Sequence, residues 1–372
     1  MKVPAARILF PEEDRKEILA NIDQILKSGQ LTLGSHGKNF EKEFAGFLGS
    51  KHAIAVNSGT SALEIPLRVL GINTGNVIVP TNTFFATPAA VLHSGANIKF
   101  VDIEWNSLGI DVEKTKEAID SDTKGIIIVH IGGIISPQIH ELREICDDQG
   151  LFLIEDAAHA HGSTLSGKYA GTFGHVSSFS FYPTKVITSG EGGMIVTDQE
   201  DIVEKSRIFR DQGKSGFLGN IHVEMGYNWR MSEIHALLGR YQLQRLNEFV
   251  DDRKKIAKLY DDHLPSVSGI KNLNLPADCN SNYYKYIAFL DNDIDRTQLK
   301  KELRDEFQIS LSGEVYELPC HVQPVFKGLG YGEGDFPIAE EICKRQICLP
   351  LYARMTREEG QLVIDALKEI LA

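Results

Sequence analysis

Lys185 stands in the stretch SSFSFYPTKVITSGEGGMIVTD, residues 177–198. Small and hydroxyl residues precede it, and a glycine-rich turn follows. A lysine held still and partly dried loses affinity for its proton, and its amine becomes a nucleophile near neutral pH. That is the setting for a Schiff base with a carbonyl carbon. Glu155 and Asp156 follow the apolar run LFLI (151–154). A carboxylate at a buried strand end must find a partner, and a protonated ring nitrogen is one. AVNSGTSALEI (55–65) puts Gly59 and Thr60 where a strand gives way to a helix. Backbone N–H groups and a hydroxyl can hold a phosphate there, although the motif by itself reads more readily as a helix cap. The motif is neither a dinucleotide fingerprint nor a Walker loop. One cofactor needs a nucleophilic lysine, a carboxylate, a phosphate cup and an aromatic ring support together: pyridoxal 5'-phosphate. TNTFFAT (81–87) offers Phe84 or Phe85 as the ring support, and Ser178 and Ser180, on one face of one strand, offer hydroxyls to the phosphate. His159 and His161 lie close together, but no third ligand stands at motif spacing, so no metal site is expected.

These groups need a frame. Residues 14–28 and 37–48 read as helices around the loop SGQLTLGSHG. Short apolar runs then recur at 52–58, 76–81, 97–103, 124–130 and 151–158, with helical patterns at 60–70, 84–94, 111–120 and 137–148 between them. Such alternation predicts a mostly parallel sheet flanked by helices, an α/β fold, with ligands at the carboxyl ends of its strands. Runs at 176–181 and 193–198 join the same sheet, and a long amphipathic helix is expected over 231–260. The remainder reads as a smaller α+β unit, with helices from about Arg296, near 337–346 and near 356–371. The expected division is 1–250 and 251–372, with the joint inside a helix.

The length of 372 residues suits two such units, and 42% apolar with 24% charged residues is the balance of a soluble globular protein. A net charge of -12 argues against nucleic acid and against binding anionic lipid by charge. The five cysteines fit neither a zinc knuckle nor a redox pair, and free thiols in a reducing compartment are expected. Acidic residues enter MKVPAARILFPEEDRKE almost at once, and no apolar stretch reaches membrane-spanning length. A cytoplasmic protein is the expectation.

The segments SGQLTLGSHGKNFEKEFAGFLG, VNSGTSALEI, VPTNTFFATPAAVLHSGANIKFVDI, IEDAAHAHGS, SFSFYPTKVITSGEGGMIVTD, GYNWRMSEIHALLGRYQLQRL, YELPCHVQPVF and ICLPLYARMTREE, in that order, resemble the DegT/DnrJ/EryC1/StrS family of sugar aminotransferases. The resemblance covers nearly the whole chain. It implies a fold type I pyridoxal-phosphate-dependent transferase, a homodimer with composite active sites. Lys185 would carry the cofactor, Asp156 would hold its ring nitrogen, and Gly59, Thr60 and Ser180 would cradle its phosphate. Phe84 would stack on its ring, and Asn228 would reach the phosphate of the neighbouring subunit. Glutamate, leaving as 2-oxoglutarate, would donate the amino group, and a nucleotide-linked keto-deoxysugar, narrowly a 4-keto-6-deoxy sugar, would accept it. Two other readings stand beside this one: amination of a keto-inositol or other non-nucleotide sugar, and a regulatory protein that keeps the fold without chemistry. Loss of the lysine or the aspartate would favour the second, and neither is lost. A dehydratase branch with histidine for the lysine is likewise disfavoured.

Three departures bear on the substrate. His159 stands where glutamine usually neighbours the cofactor's phenolic oxygen, HIGG (130–133) where HLYG is usual, and Val186 where asparagine is common. The missing tyrosine is expected to leave room at Gly132 and Gly133 for a bulky acceptor. His321 and Gln323, two apart on an expected extended segment, are candidates to face the sugar or its phosphates. Arg210, Lys214, Arg230 and Arg240 are candidates for a diphosphate groove.

Overall fold

The computed structural model describes residues 2–216 and 220–372. Helices α1 (Glu12–Ser28) and α2 (Ser35–Leu48) lead into an alternation: β1 (His52–Val56), α3 (Gly59–Val69), β2 (Asn76–Pro80), α4 (Ala86–Ser94), β3 (Asn97–Val101), α5 (Val112–Ala118), β4 (Thr123–Val129), α6 (Ile139–Gln149) and β5 (Phe152–Asp156). A short hairpin, β6 (Thr164–Leu165) and β7 (Lys168–Tyr169), precedes β8 (Val176–Ser180) and β9 (Gly193–Thr197). Then come α7 (Glu200–Arg210), α8 (Glu233–Gln244) and α9 (Leu246–His263). The chain closes with β10 (Ile270–Asn272), β11 (Cys279–Asn280), β12 (Tyr286–Leu290), α10 (Arg296–Asp305), α11 (Pro337–Arg345), β13 (Gln346–Leu349) and α12 (Arg357–Ile370).

The central sheet has seven strands in the order β1-β9-β8-β5-β4-β2-β3. Pairing is parallel from β3 through β2, β4 and β5 to β8, while β9 runs antiparallel to both β8 and β1. The inner strands carry near-continuous apolar runs, as in Ile126, Ile127 and Ile128 of β4, all fully buried. Such runs suit a sheet covered on both faces, and a separate apolar cluster lies on each. A second sheet, β10-β12-β13, builds a third core with α9 and α12.

The expected division at 250/251 cuts α9. Phe249 and Val250 pack into the core of the large sheet, while Ile256, Leu259 and Tyr260 pack into the third core, so one helix is rooted in both. Val3 also joins the third core, through a bridge to Ile309.

Two helical expectations need correction. The helix expected over 231–260 is two helices that break at Arg245, whose N–H bonds back to Gln242 in a tight turn. Its guanidinium is held by Asp14 of α1 and by Glu248, and those ties fix the turn. Helix α7 was not anticipated, although Glu200 and Asp201 in its first turn and Arg207 and Arg210 in its last complement the helix dipole. Among the described residues, no helix is long and apolar enough to cross a membrane.

Candidate active site

The carboxyl ends of β1, β2, β5 and β8 and the loop after β8 surround a cavity of about 440 Å³. Gly59, Thr60, Phe84, Asp156, His159, Ser180 and Lys185 all line it. Residues spread over more than a hundred positions thus meet at one point, because parallel strands deliver their last residues to the same edge.

Burial pushes the Lys185 amine down to about 8, against the pull of Asp156, and the nearby Lys285 ammonium adds to the fall. Its Nζ lies 5.1 Å from the ring centre of Tyr284. Asp156 is buried at the end of β5. Its Oδ2 accepts from Thr87 Oγ1 at 2.7 Å and its Oδ1 from the Ala158 N–H at 3.2 Å. Burial raises the proton affinity of this carboxyl, and the Thr87 bond opposes the rise.

His159 stacks on Tyr284 with ring centres 4.2 Å apart. Burial holds it far below its ordinary proton affinity, so the ring is neutral. The Gly132 N–H donates to its Nδ1 at 3.4 Å, which leaves the proton on Nε2, 3.3 Å from the Tyr316 hydroxyl. The imidazole is therefore a fixed donor on the cavity side. The HIGG segment does not leave the open space expected of it. A Cβ on Gly132 would lie 2.8 Å from Ile287 Cδ1, and one on Gly133 would collide with Asn282 Oδ1. The Asn282 amide is itself engaged by the carbonyls of His159 and His161, so this corner is filled.

At the other end, α3 begins at Gly59, and Ser58 with Ser61 completes a capping box. The cap is thus Ser58, and Thr60 is not used for it. A Cβ on Gly59 would lie 2.7 Å from Ser180 Cβ, so only glycine lets the helix start sit against β8. The result is a cradle of unbonded helix N–H groups beside two hydroxyls, fitted to a phosphate. Ser178 is not part of it, since its hydroxyl donates to the Ala62 carbonyl at 2.7 Å and ties β8 to α3.

Other expectations fall away from the cavity. His321 lies within a 3-10 turn, Cys320–Val322, and Gln323 caps it, so the two do not share an extended segment. His321 is buried with Nδ1 bonded to Thr81 Oγ1 at 2.7 Å and Nε2 to Glu340 at 3.1 Å. Both its nitrogens are occupied, and neither residue lines the cavity. Arg210, Arg230 and Arg240 are ion-paired with Glu41, Asp211 and Glu43, so these arginines do not form a free groove. Asn228 is exposed and lies outside the cavity of its own chain. Phe85 turns from the site to pack on Phe326. Sequence reasoning missed Tyr284, Tyr316, Thr83 and Thr87, all of which line the cavity or bond to its residues. The run NYYKY (282–286) was the signal for Tyr284, and the hydroxyls of TNTFFAT were the signal for the threonines.

The fold and this site define a fold type I pyridoxal-phosphate-dependent transaminase, with a buried lysine, a buried carboxylate and an open helix start whose chemistry fits the cofactor. Residues 12–368 match the DegT/DnrJ/EryC1/StrS aminotransferase family, and the chain belongs to it: it is a sugar aminotransferase. It is 36% identical to the spore coat polysaccharide biosynthesis protein SpsC of Bacillus subtilis, over 96% of this chain and 95% of that one. It is 32% identical to a dTDP-3-amino-3,4,6-trideoxy-alpha-D-glucose transaminase of Micromonospora megalomicea, over 98% and 97%. Its fold superposes on NtdA of Bacillus subtilis, solved with bound PMP, with a TM-score of 0.89 and 30% identity, over 97% of this chain and 83% of that one.

Proposed function

We propose that the protein moves the amino group of glutamate onto a nucleotide-diphosphate-linked keto-deoxysugar, in two alternating half-reactions, as a homodimer whose sites each borrow Asn228 from the other subunit. The narrower reading is a 4-keto-6-deoxy acceptor. The observation that carries the proposal is the meeting of Lys185, Asp156 and the Gly59 turn in one cavity, in a chain akin to a transaminase named for a dTDP-linked amino sugar.

Pyridoxal phosphate, when bound, supplies an electron-accepting ring that eases removal of a proton from the carbon bearing the amino group. The chain's residues do the rest. Asp156 would pair with the protonated ring nitrogen and keep it charged. The start of α3, Thr60 and Ser180 would hold the phosphate, Phe84 would support the ring, and His159, whose Nε2–H lies 3.3 Å from the Tyr316 hydroxyl, would neighbour the phenolic oxygen. The Lys185 amine takes the Cα proton of glutamate in one half-reaction and returns a proton to the sugar carbon in the other. An amine that titrates near 8 serves both directions. The buried walls hold these groups still and keep bulk water from the transfers.

A second reading, a keto-inositol or another non-nucleotide sugar, draws on one observation: the arginines expected to meet a diphosphate are paired within the chain. A panel of nucleotide-linked 3-keto sugars, nucleotide-linked 4-keto sugars and free keto-inositols, each offered with glutamate, separates the two. The proposal expects amination of the nucleotide-linked 4-keto sugars. Preference for a free keto-inositol, with nucleotide sugars inert, contradicts it.

A further inference from the structure

Asp156 is held by more than its own strand. Thr87 Oγ1 lies 2.7 Å from Asp156 Oδ2, and Thr83 Oγ1 lies 2.7 Å from Thr87 Oγ1. An ionised carboxylate can only accept, so Thr87 must commit its single hydroxyl proton to Oδ2. Thr87 then has no proton left for Thr83, and Thr83 must be the donor between them. The direction is fixed: Thr83 to Thr87 to Asp156. Thr83 is 2% exposed and Thr87 is fully buried, so solvent does not screen or replace either bond. The two hydroxyls meet because Thr83 stands in the bend that leads into α4 and Thr87 in the first turn of that helix, so the chain folds one over the other. Thr83 also lines the cavity, so the chain of hydroxyls runs from its wall to the carboxylate. Among the described residues, the only other hydrogen bond to the Asp156 carboxylate is the Ala158 N–H on Oδ1. Each oxygen thus keeps a free lone pair, and each has one bond to fix its orientation.

We propose that Thr83 and Thr87 form a one-way hydroxyl relay that turns the Asp156 carboxylate toward the cofactor's ring nitrogen and keeps it anionic. Thr87 is the positioning residue, and Thr83 strengthens it, because a hydroxyl that accepts a bond donates a stronger one. The relay rests on the assignment of Asp156 to the ring nitrogen. A merely structural role, two hydroxyls satisfying each other in a core, would make their loss a matter of stability alone and leave the electronics of the cofactor untouched.

Nitrogen-15 NMR of holoenzyme reconstituted with ring-labelled pyridoxal phosphate separates the two, because the resonance differs between protonated and neutral ring nitrogen. Thr87→Val is expected to move the resonance toward the neutral form and to slow bleaching by glutamate at least about tenfold, the scale of one hydrogen bond to a charged acceptor. Thr87→Ser, which keeps the hydroxyl, is expected to restore both. Thr83→Val is expected to shift the resonance the same way by a smaller amount. A resonance that stays in place in Thr87→Val, or a serine variant as impaired as the valine one, overturns the relay. If Thr87→Val fails to take up cofactor, Thr83→Val decides, and an unmoved resonance there overturns it equally. A wild-type protein that takes up no labelled cofactor overturns the cofactor assignment together with the relay, whereas bound cofactor with unmoved resonances overturns the relay alone.

Discussion

Burial strips Lys185 of much of its hold on its proton, and that change can be measured before any turnover. In the cofactor-free protein the amine is protonated below about 8 and free above it. The rate of cofactor uptake should therefore rise with pH through about 8, well below the roughly 10.4 of a solvated lysine. Between those two values the unfolded chain binds the extra proton, so this group also makes folding more favourable as pH rises across that window. A rate that climbs only near 10 would mean that Lys185 is solvated. Lys185→Ala should fold normally by circular dichroism yet lose roughly a thousandfold or more in the glutamate half-reaction, the scale of a lost general acid and base. Turnover at the normal rate would remove Lys185 from the chemistry. At this scale the sequence was most informative where the residue type itself dictates the chemistry, as with Lys185 and Asp156. It was least so where a role depends on which atom is already engaged. His321 has the right type but no free nitrogen, and the donor nitrogen of His159 is set by the Gly132 N–H, a backbone group that no side-chain pattern reveals.

The start of α3 against the end of β8 is the contact between elements on which the phosphate cradle depends. Gly59→Ala would set a methyl 2.7 Å from Ser180 Cβ and push the helix start from the strand. The expected result is a folded protein with cofactor affinity weakened by about tenfold or more, since two or more bonds to one anion stretch together. Spectral titration of the apoprotein with pyridoxal phosphate measures it, and an unchanged dissociation constant would show that the cradle lies elsewhere. Elements of the sheet were legible because apolar strands alternate with amphipathic helices, and the pattern switches cleanly at residues such as Gly59. The break at Arg245 was not, because the apolar spacing continues through it. The turn is held by Asp14, a partner 231 positions away in sequence. The 3-10 turn at Cys320–Val322 is of the same kind, since its His321 is fixed by Thr81, 240 positions distant. Tyr284 and Tyr316 entered the site in the same way, carried from the last third of the chain onto the edge of the sheet.

For the whole molecule, the surface beside the cavity argues for the proposed homodimer. Phe84 is 57% exposed and Tyr182 48%, two aromatic side chains left open at the wall of the cavity. Asn228, in the segment between α7 and α8, is likewise exposed. If each site borrows the partner's Asn228, Lys185→Ala and Asn228→Ala damage different halves of it. Mixing the two impaired variants under conditions of proven subunit exchange should restore part of the activity, because one site of the mixed dimer is then intact. No recovery would mean that each subunit completes its own site. The cofactor was legible in the sequence, as was the pair Lys185 and Asp156 that meets in one cavity, while the proposed assembly came only through the family resemblance, since nothing in one chain's spacing tells a free surface from a paired one. The central claim, alternating amino transfer from glutamate to a nucleotide-linked keto sugar, is tested most directly by one spectrum followed through two additions. Glutamate added to the holoenzyme should bleach its visible band and release one equivalent of 2-oxoglutarate per site, and a nucleotide-linked 4-keto sugar added next should restore the band. A band that glutamate leaves untouched, or one that only a free keto-inositol restores, would contradict it.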